Sequence, residues 1–221
     1  MKILIIGYGK MGKMVEKIAR KRGHTISFRI DNETDWNIMD MDFNFDVAID
    51  FSMPSIVTAN INKCFDLNLP VVVGTTGWDN DFEKIKAYCI QNNKSLFYSS
   101  NFSIGVFLFN KINSFAAKLL SPYMQYKPEI MEIHHLHKLD KPSGTAKYLA
   151  KNMEDYYSDV EIKSVREGEI FGIHQIDYQS EVDVISLRHE AKSREGFALG
   201  AVVAAEFLQG KKGFFSMNDL I

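Results

Sequence analysis

Residues 132–146 read EIHHLHKLDKPSGTA and hold three of the chain's six histidines, His134, His135 and His137, followed at once by Lys138 and then by a Ser-Gly-Thr. Three chemistries compete for such a stretch. A zinc site needs three or four ligands. Adjacent His134 and His135 face opposite sides of a strand, so only His135 and His137 share a face. No cysteine or carboxylate stands at a recognisable ligand spacing and H-E-x-x-H is absent, so no metal is expected. An anion pocket fits better. Pro142-Ser143-Gly144-Thr145 opens a helix, where a hydroxyl caps, glycine admits a ligand to the backbone, and free N–H groups attract carboxylates or phosphates. Lys138 adds a positive charge, and histidine is the natural acid–base group near neutral pH. A polar strand followed by a capped helix accounts for the spacing almost as well.

A second chemistry-bearing pattern stands at the start of the chain. Gly7, Gly9 and Gly12 form G-x-G-x-x-G, with Lys10 and Met11 inside it, directly after an apolar strand and at the opening of a helix. One glycine makes the turn, one lets a pyrophosphate approach the backbone, and one lets helix and strand pack closely. Asp31 ends the next strand 19 residues past Gly12, near the offset of about 20 expected of the carboxylate that binds an adenosine ribose. That carboxylate repels a 2′-phosphate and so favours NADH slightly, while Arg29 and Lys10 keep NADPH open. Gly74, Thr75 and Thr76, after a later strand, and Ser99, Ser100, Asn101 and Phe102, after the next, are expected along the same crevice.

The elements that must position these groups alternate in the first half. KILIIG, TISFRID, VAIDF, LPVVVG and SLFYSS read as strands. Between them lie helical patterns, one ending at Gly23, one running from Pro54 to about Asn68, and one in WDNDFEKIKAYCIQ. This predicts an α/β fold with a Rossmann-like, doubly wound parallel sheet. After Asn101 the character changes. VFLFNKINSFAAKLL and TAKYLAKNMEDYY read as helices; EIMEIHHLHK, EIFGIHQIDYQ and VDVISLRHEA read as strands of a mixed sheet; FALGAVVAAEFLQG is a small-residue helix. The expected domains are residues 1–103 with 194–221, binding dinucleotide, and residues 104–193, an α+β domain binding substrate and mediating oligomerisation.

Composition excludes several classes. Of 221 residues, 46% are hydrophobic and 24% charged, with a net charge of −2. That is ordinary for a globular protein and no attraction for nucleic acid. Cys64 and Cys89 form no C-x-x-C and imply no disulfide framework. No apolar run approaches spanning length. A cytoplasmic protein with no membrane and no nucleic-acid partner is expected.

EIHHLHKLDKPSGTA closely resembles the E-x-H-H-x-x-K-x-D-x-P-S-G-T-A signature of the dihydrodipicolinate reductase family. GYGKMG, VAIDFSMP, VVVGTTGW, SSNFSIGV, GEIFGIH and RHEAKSREGFALGA resemble that family's other segments in order, over nearly the whole chain. The resemblance implies reduction, by NADH or NADPH, of a cyclic imine dicarboxylate in lysine and diaminopimelate biosynthesis. It implies His134 as general acid–base and Lys138 as proton donor. His135, Ser143, Gly144, Thr145 and Thr76 would hold substrate; Gly7, Lys10, Met11, Asp31, Gly74 to Thr76 and Ser99 to Phe102 would line the cofactor. A homotetramer, or a dimer, is expected. Lys141 replaces the usual alanine, Asn32 replaces the arginine that favours NADPH, and the stretch between Ala146 and Arg166 is shorter than usual. Two other readings share the first half: an amino-acid dehydrogenase such as an aspartate dehydrogenase, and a catalytically silent NAD sensor. Neither explains the run from Lys138 to Thr145.

Overall fold

The structure, a computed structural model, describes residues 1–38 and 44–220. In chain order the elements are β1 (Lys2–Ile6), α1 (Lys10–Lys21), β2 (Thr25–Ile30), α2 (Glu33–Ile38), β3 (Val47–Asp50), α3 (Val57–Asp66), β4 (Val71–Val73), α4 (Asp79–Gln91) and β5 (Ser95–Tyr98). Then come α5 (Ile104–Leu120), β6 (Lys127–His134), α6 (Gly144–Lys151), β7 (Glu161–Arg166), β8 (Ile173–Gln179), β9 (Val184–Glu190), α7 (Glu195–Leu208) and β10 (Gly213–Phe215), with a final 3₁₀ turn at Met217–Leu220. None of the described helices is long and apolar enough to cross a membrane.

Residues 1–103 and 195–221 make one compact unit and residues 104–194 another. The second crossing lies between Arg194 and Glu195, one residue later than expected, because α7 starts at Glu195.

In the first unit six parallel strands lie in the order β10-β5-β4-β3-β1-β2. The strand runs are apolar throughout because helices cover both faces. Ile3 to Ile6, Val47 to Ile49, Val71 to Val73, Leu96 and Phe97 are all buried, at about 1.5–3 kcal/mol for each fully buried large side chain. The alanine-rich α7 lies against this sheet so closely that a Cβ on Gly200 would stand 1.8 Å from the Phe102 carbonyl oxygen. The helix expected from Pro54 starts later, at Val57. The N–H groups of Ile56 and Val57 both reach the Met53 carbonyl at 3.1 Å, which closes a turn first.

The second unit is a mixed sheet, β7-β6-β8-β9, with β6 and β7 parallel and the other pairs antiparallel. Ile130, Ile176 and Tyr178 from the sheet pack with Ala117 of α5 and Ala146 and Leu149 of α6. Tyr178 donates its hydroxyl to Asn113 Oδ1 at 2.8 Å, which satisfies a buried polar group. The alternation of β6 puts Pro128, Ile130, Glu132 and His134 on one buried face. That face is apolar at one end and charged at the other.

The strand read through Lys138 stops at His134. The 167–170 loop takes over there. Glu167 N–H bonds the His134 carbonyl at 2.8 Å, His135 N–H bonds Ile170 O at 2.8 Å, and Leu136 N–H bonds Gly168 O at 3.2 Å. The two-sided alternation assumed for His135 and His137 therefore does not apply.

Candidate active site

In the first unit the glycine loop, Asp31, the 74–76 loop and the 99–102 segment follow the carboxyl ends of β1, β2, β4 and β5, one edge of a parallel sheet. That edge is where ligands collect in such sheets. A Cβ on Gly12 would stand 2.1 Å from the Gly7 carbonyl oxygen, and one on Gly7, whose φ is +85°, would strike the Phe51 carbonyl. These two glycines are demanded by packing. Gly9 differs: it is exposed, a Cβ there would meet nothing within 4 Å, and no side chain caps α1. The N-terminal end of α1 thus offers backbone N–H groups beside open space, a place shaped for a pyrophosphate. Asp31 is exposed and its Oδ1 accepts the Tyr8 N–H at 3.0 Å, so a carboxylate is tied to the glycine loop where a ribose diol would be read. These residues suit a nicotinamide dinucleotide.

Arg29 is committed elsewhere. Its Nε donates to Glu16 Oε2 at 2.7 Å and its Nη2 to Glu16 Oε1 at 2.5 Å, while Tyr8 OH also donates to Glu16 at 2.6 Å. The Arg29 bonds, foremost, hold the Glu16 carboxyl down at about 2. Lys10 and Met11 open α1, the first exposed and the second half-buried.

Thr75 is buried and donates its hydroxyl to Asp50 Oδ1 at 2.7 Å, whereas Thr76 is exposed. Asp50, which sequence reasoning passed over, also receives the Ser52 N–H and hydroxyl and the Asn60 amide. Burial raises its carboxyl above the usual range. Ser99 Oγ bonds the Asn101 carbonyl, Asn101 Oδ1 accepts from Ser103 N–H, Ser100 is exposed, and the Phe102 ring is packed inside against Phe51 and Phe97.

The second unit holds a cluster of histidines around a buried carboxylate. Strand register builds it: Glu132 lies opposite His174 of β8, and His134 beside Arg166 of β7. Glu132 Oε2 is 3.2 Å from His134 Nδ1 and 3.9 Å from His174 Nε2; Glu132 Oε1 accepts from Arg166 Nη2 and from the Ser143 N–H, each at 3.0 Å. The His134 and His174 rings meet edge to face, 5.1 Å between centroids. Burial lowers the pKa of both imidazoles, His174 to about 4, so His174 is neutral at physiological pH. Burial alone would raise the Glu132 carboxyl, but the neighbouring Ser143, Ser164 and Arg166 together outweigh it and hold the group below its usual value.

Glu132, His134 and His174 carry ligand atoms within 4.8 Å of one another, the geometry of a metal triad. The carboxylate partner that spacing did not suggest is thus present, two residues before His134. Arg166 already neutralises it.

Lys138 pairs with Asp140 at 2.8 Å. The other oxygen of Asp140 accepts the Gly144 N–H at 3.4 Å, so the start of α6 already faces a carboxylate. Ser143 is buried, and its hydroxyl caps α6 by accepting the Ala146 N–H at 3.1 Å; Gly144 is exposed and Thr145 half-buried. His135 is half-buried, and exposed His137 lies 3.6 Å from Glu169 with its ring tilted toward that of His135. Arg166, whose guanidinium also ties the Lys138 and Asp140 carbonyls, was not singled out from the sequence.

Comparison with known proteins bears on both units. The profile for "Dihydrodipicolinate reductase, N-terminus" matches residues 1–102 and that for "Dihydrodipicolinate reductase, C-terminus" matches residues 105–221. The chain belongs to the dihydrodipicolinate reductase family. It is 42% identical to the 4-hydroxy-tetrahydrodipicolinate reductase of Christiangramia forsetii, over all of this chain and 98% of that one. It is 37% identical to the Thermosipho africanus enzyme of the same name, at the same coverage. The solved structure "Dipicolinate bound Dihydrodipicolinate reductase" from Paenisporosarcina superposes with a TM-score of 0.79 at 23% identity, covering 98% of this chain and 97% of that one, which shows the shared fold. Family membership makes the chain an oxidoreductase that uses NADH or NADPH, with its nucleotide-binding residues in the N-terminal part.

Proposed function

We propose that this chain reduces 4-hydroxy-tetrahydrodipicolinate to tetrahydrodipicolinate with loss of water, in lysine and diaminopimelate biosynthesis. His134 acts as the acid–base group and Lys138 as the proton donor. The observation that carries the reading is that Asp140 joins Lys138, four residues beyond His134, to the start of α6, in a chain related along its full length to named reductases. When bound, NADH or NADPH supplies the hydride; Gly9, Lys10, Met11 and Asp31 hold its phosphates and ribose, and the exposed part of the 74–76 and 99–101 segments lines its other end.

The substrate is a small dicarboxylate. One carboxylate enters at the Gly144 and Thr145 N–H groups and the Thr145 hydroxyl, taking the place that Asp140 occupies beside Gly144. Displacement of Asp140 releases Lys138, whose ammonium then stabilises negative charge developing on the ring nitrogen and delivers a proton to it. His134, deprotonated at neutral pH, takes or returns the proton that accompanies loss of hydroxyl. His135 and Thr76 contact substrate, and Ser143, whose buried hydroxyl caps α6, holds substrate through the helix start that it fixes.

The chain works in the cytoplasm, a setting supported by its two buried free cysteines. It assembles as a homotetramer. Exposed Leu108, Ile112, Phe115 and Leu119 stripe α5, and Val184 and Ile185 are exposed on β9, apolar surface of the kind that marks interfaces. Light scattering on the eluted protein tests this: a monomer mass refutes assembly. The activity is tested by condensing pyruvate with aspartate semialdehyde in situ and following NADH absorbance.

A further inference from the structure

We propose that Glu132 is the positioning residue of the site. It sets which nitrogen of His134 carries the proton and, through the same carboxylate, registers the start of α6 against that imidazole. The proposal rests on His134 being the acid–base group.

Glu132 is wholly buried, and a buried carboxylate is costly unless every oxygen is matched. Its two oxygens face different groups. Oε1 takes the Ser143 N–H and the Arg166 guanidinium, both at 3.0 Å. Oε2 stands 3.2 Å from His134 Nδ1, at ion-pair distance but without hydrogen-bond alignment, and neither atom has a hydrogen-bond partner among the described residues, which leaves each as the match within reach of the other. An ionised carboxylate has no proton to give, so the proton between them belongs to Nδ1. His134 Nε2 is then the bare nitrogen that can accept a proton. A carboxylate that holds one imidazole nitrogen in this way fixes tautomer and ring orientation together.

The far side of the ring agrees. Gly172 lies against Nε2, where a Cβ would approach to 3.0 Å, and its φ of +154° is one that L side chains rarely adopt. Glycine at 172 thus spares Nε2, the nitrogen the tautomer makes reactive, the crowding that any side chain there would bring. His174, opposite Glu132 in the ladder, packs its ring edge on His134 and closes that flank. Since Ser143 N–H hangs from Oε1, a movement of the carboxylate would displace the acid–base group and the carboxylate-binding helix start together. A metal ion on Glu132, His134 and His174 would have to lie beside Arg166, which already bonds the same carboxylate.

Glu132→Gln separates the two functions. The amide oxygen must stay with Ser143 N–H and Arg166, both donors, so the NH₂ group turns to His134 Nδ1. Nδ1 then has to accept, and the proton moves to Nε2. The experiment is ¹⁵N NMR of histidine-labelled protein at pH 8, with His134 assigned by loss of its signals in His134→Gln, together with steady-state kinetics. The expected result is an Nδ1–H tautomer in the wild type and Nε2–H in Glu132→Gln. With it should come a fall in kcat of about 10- to 100-fold, the range for groups that orient a functional histidine, and unchanged NADH affinity. An Nε2–H tautomer in the wild type overturns the proposal, and that spectrum decides even if the variant does not fold. So does a folded Glu132→Gln that keeps the wild-type tautomer. Normal turnover by His134→Gln would instead overturn the acid–base reading itself. Loss of turnover in His134→Gln with Nε2–H in the wild type removes only the positioning role.

Discussion

The two residues proposed to handle protons sit in different settings. His134 is shut away from water, which lowers its pKa, whereas Lys138 is a cation kept on Asp140 at the site's partly open edge. His134→Gln and Lys138→Ala should each lower kcat by about 100-fold or more, the range for general acid–base groups, while NADH binding persists. Near-normal turnover in either variant would refute that residue's part. A second residue-scale expectation concerns the cofactor. Asp31 lies exposed just after β2 while both carboxylate oxygens of Glu16 hold the Nε–Nη2 edge of Arg29, so a 2′-phosphate meets a carboxylate beside a guanidinium already paired with another. NADH should bind more tightly than NADPH, and Glu16→Gln should narrow the ratio of dissociation constants several-fold by releasing Arg29 (one lost charge partner, roughly 1 kcal/mol). An unchanged ratio in fluorescence titrations would show that the pair does not govern the choice.

At the scale of elements, the β1–α1 junction separates packing from binding in a single motif. Gly12→Ala drives a Cβ into the Gly7 carbonyl and should lower Tm markedly, with nucleotide binding lost alongside. Gly9→Ala meets open space at an ordinary backbone conformation, so its Tm should stay near wild type while NADH affinity falls. Equal loss of Tm in both would refute the division. The same junction shows why the first unit was legible in the sequence. Its strands are short runs buried on both faces, and its glycines and Asp31 sit at local spacings. The histidine–carboxylate cluster was half legible. His134, Lys138 and the α6 cap lie within one stretch, but Arg166 and His174 reach Glu132 only through strand register. β7 concealed this, because its inward positions carry Ile162, Ser164 and Arg166, one apolar residue in three. The three-residue β10 and the short α2 left no periodicity to read.

For the molecule as a whole, the neutral buried His174 sets an acid limit on stability. Its native pKa of about 4 lies below the ordinary 6.5, so between those values the unfolded chain binds the extra proton. This contribution is intact above pH 6.5 and is lost as pH falls toward 4, by at most about 3 kcal/mol. Denaturant midpoints at pH 7.5 and 4.5 should therefore differ less in His174→Gln than in the wild type; equal differences would contradict this. The reaction itself can be read from where the hydride goes. Its most direct test supplies the purified chain with the in situ condensation product of pyruvate and aspartate semialdehyde and with NADH carrying deuterium at both C4 positions, then weighs the product. NADH consumption should be matched by a tetrahydrodipicolinate one mass unit heavier than with ordinary NADH, and both should slow by about 100-fold or more in His134→Gln. A folded, NADH-binding protein that yields no heavier product would contradict the proposed reaction.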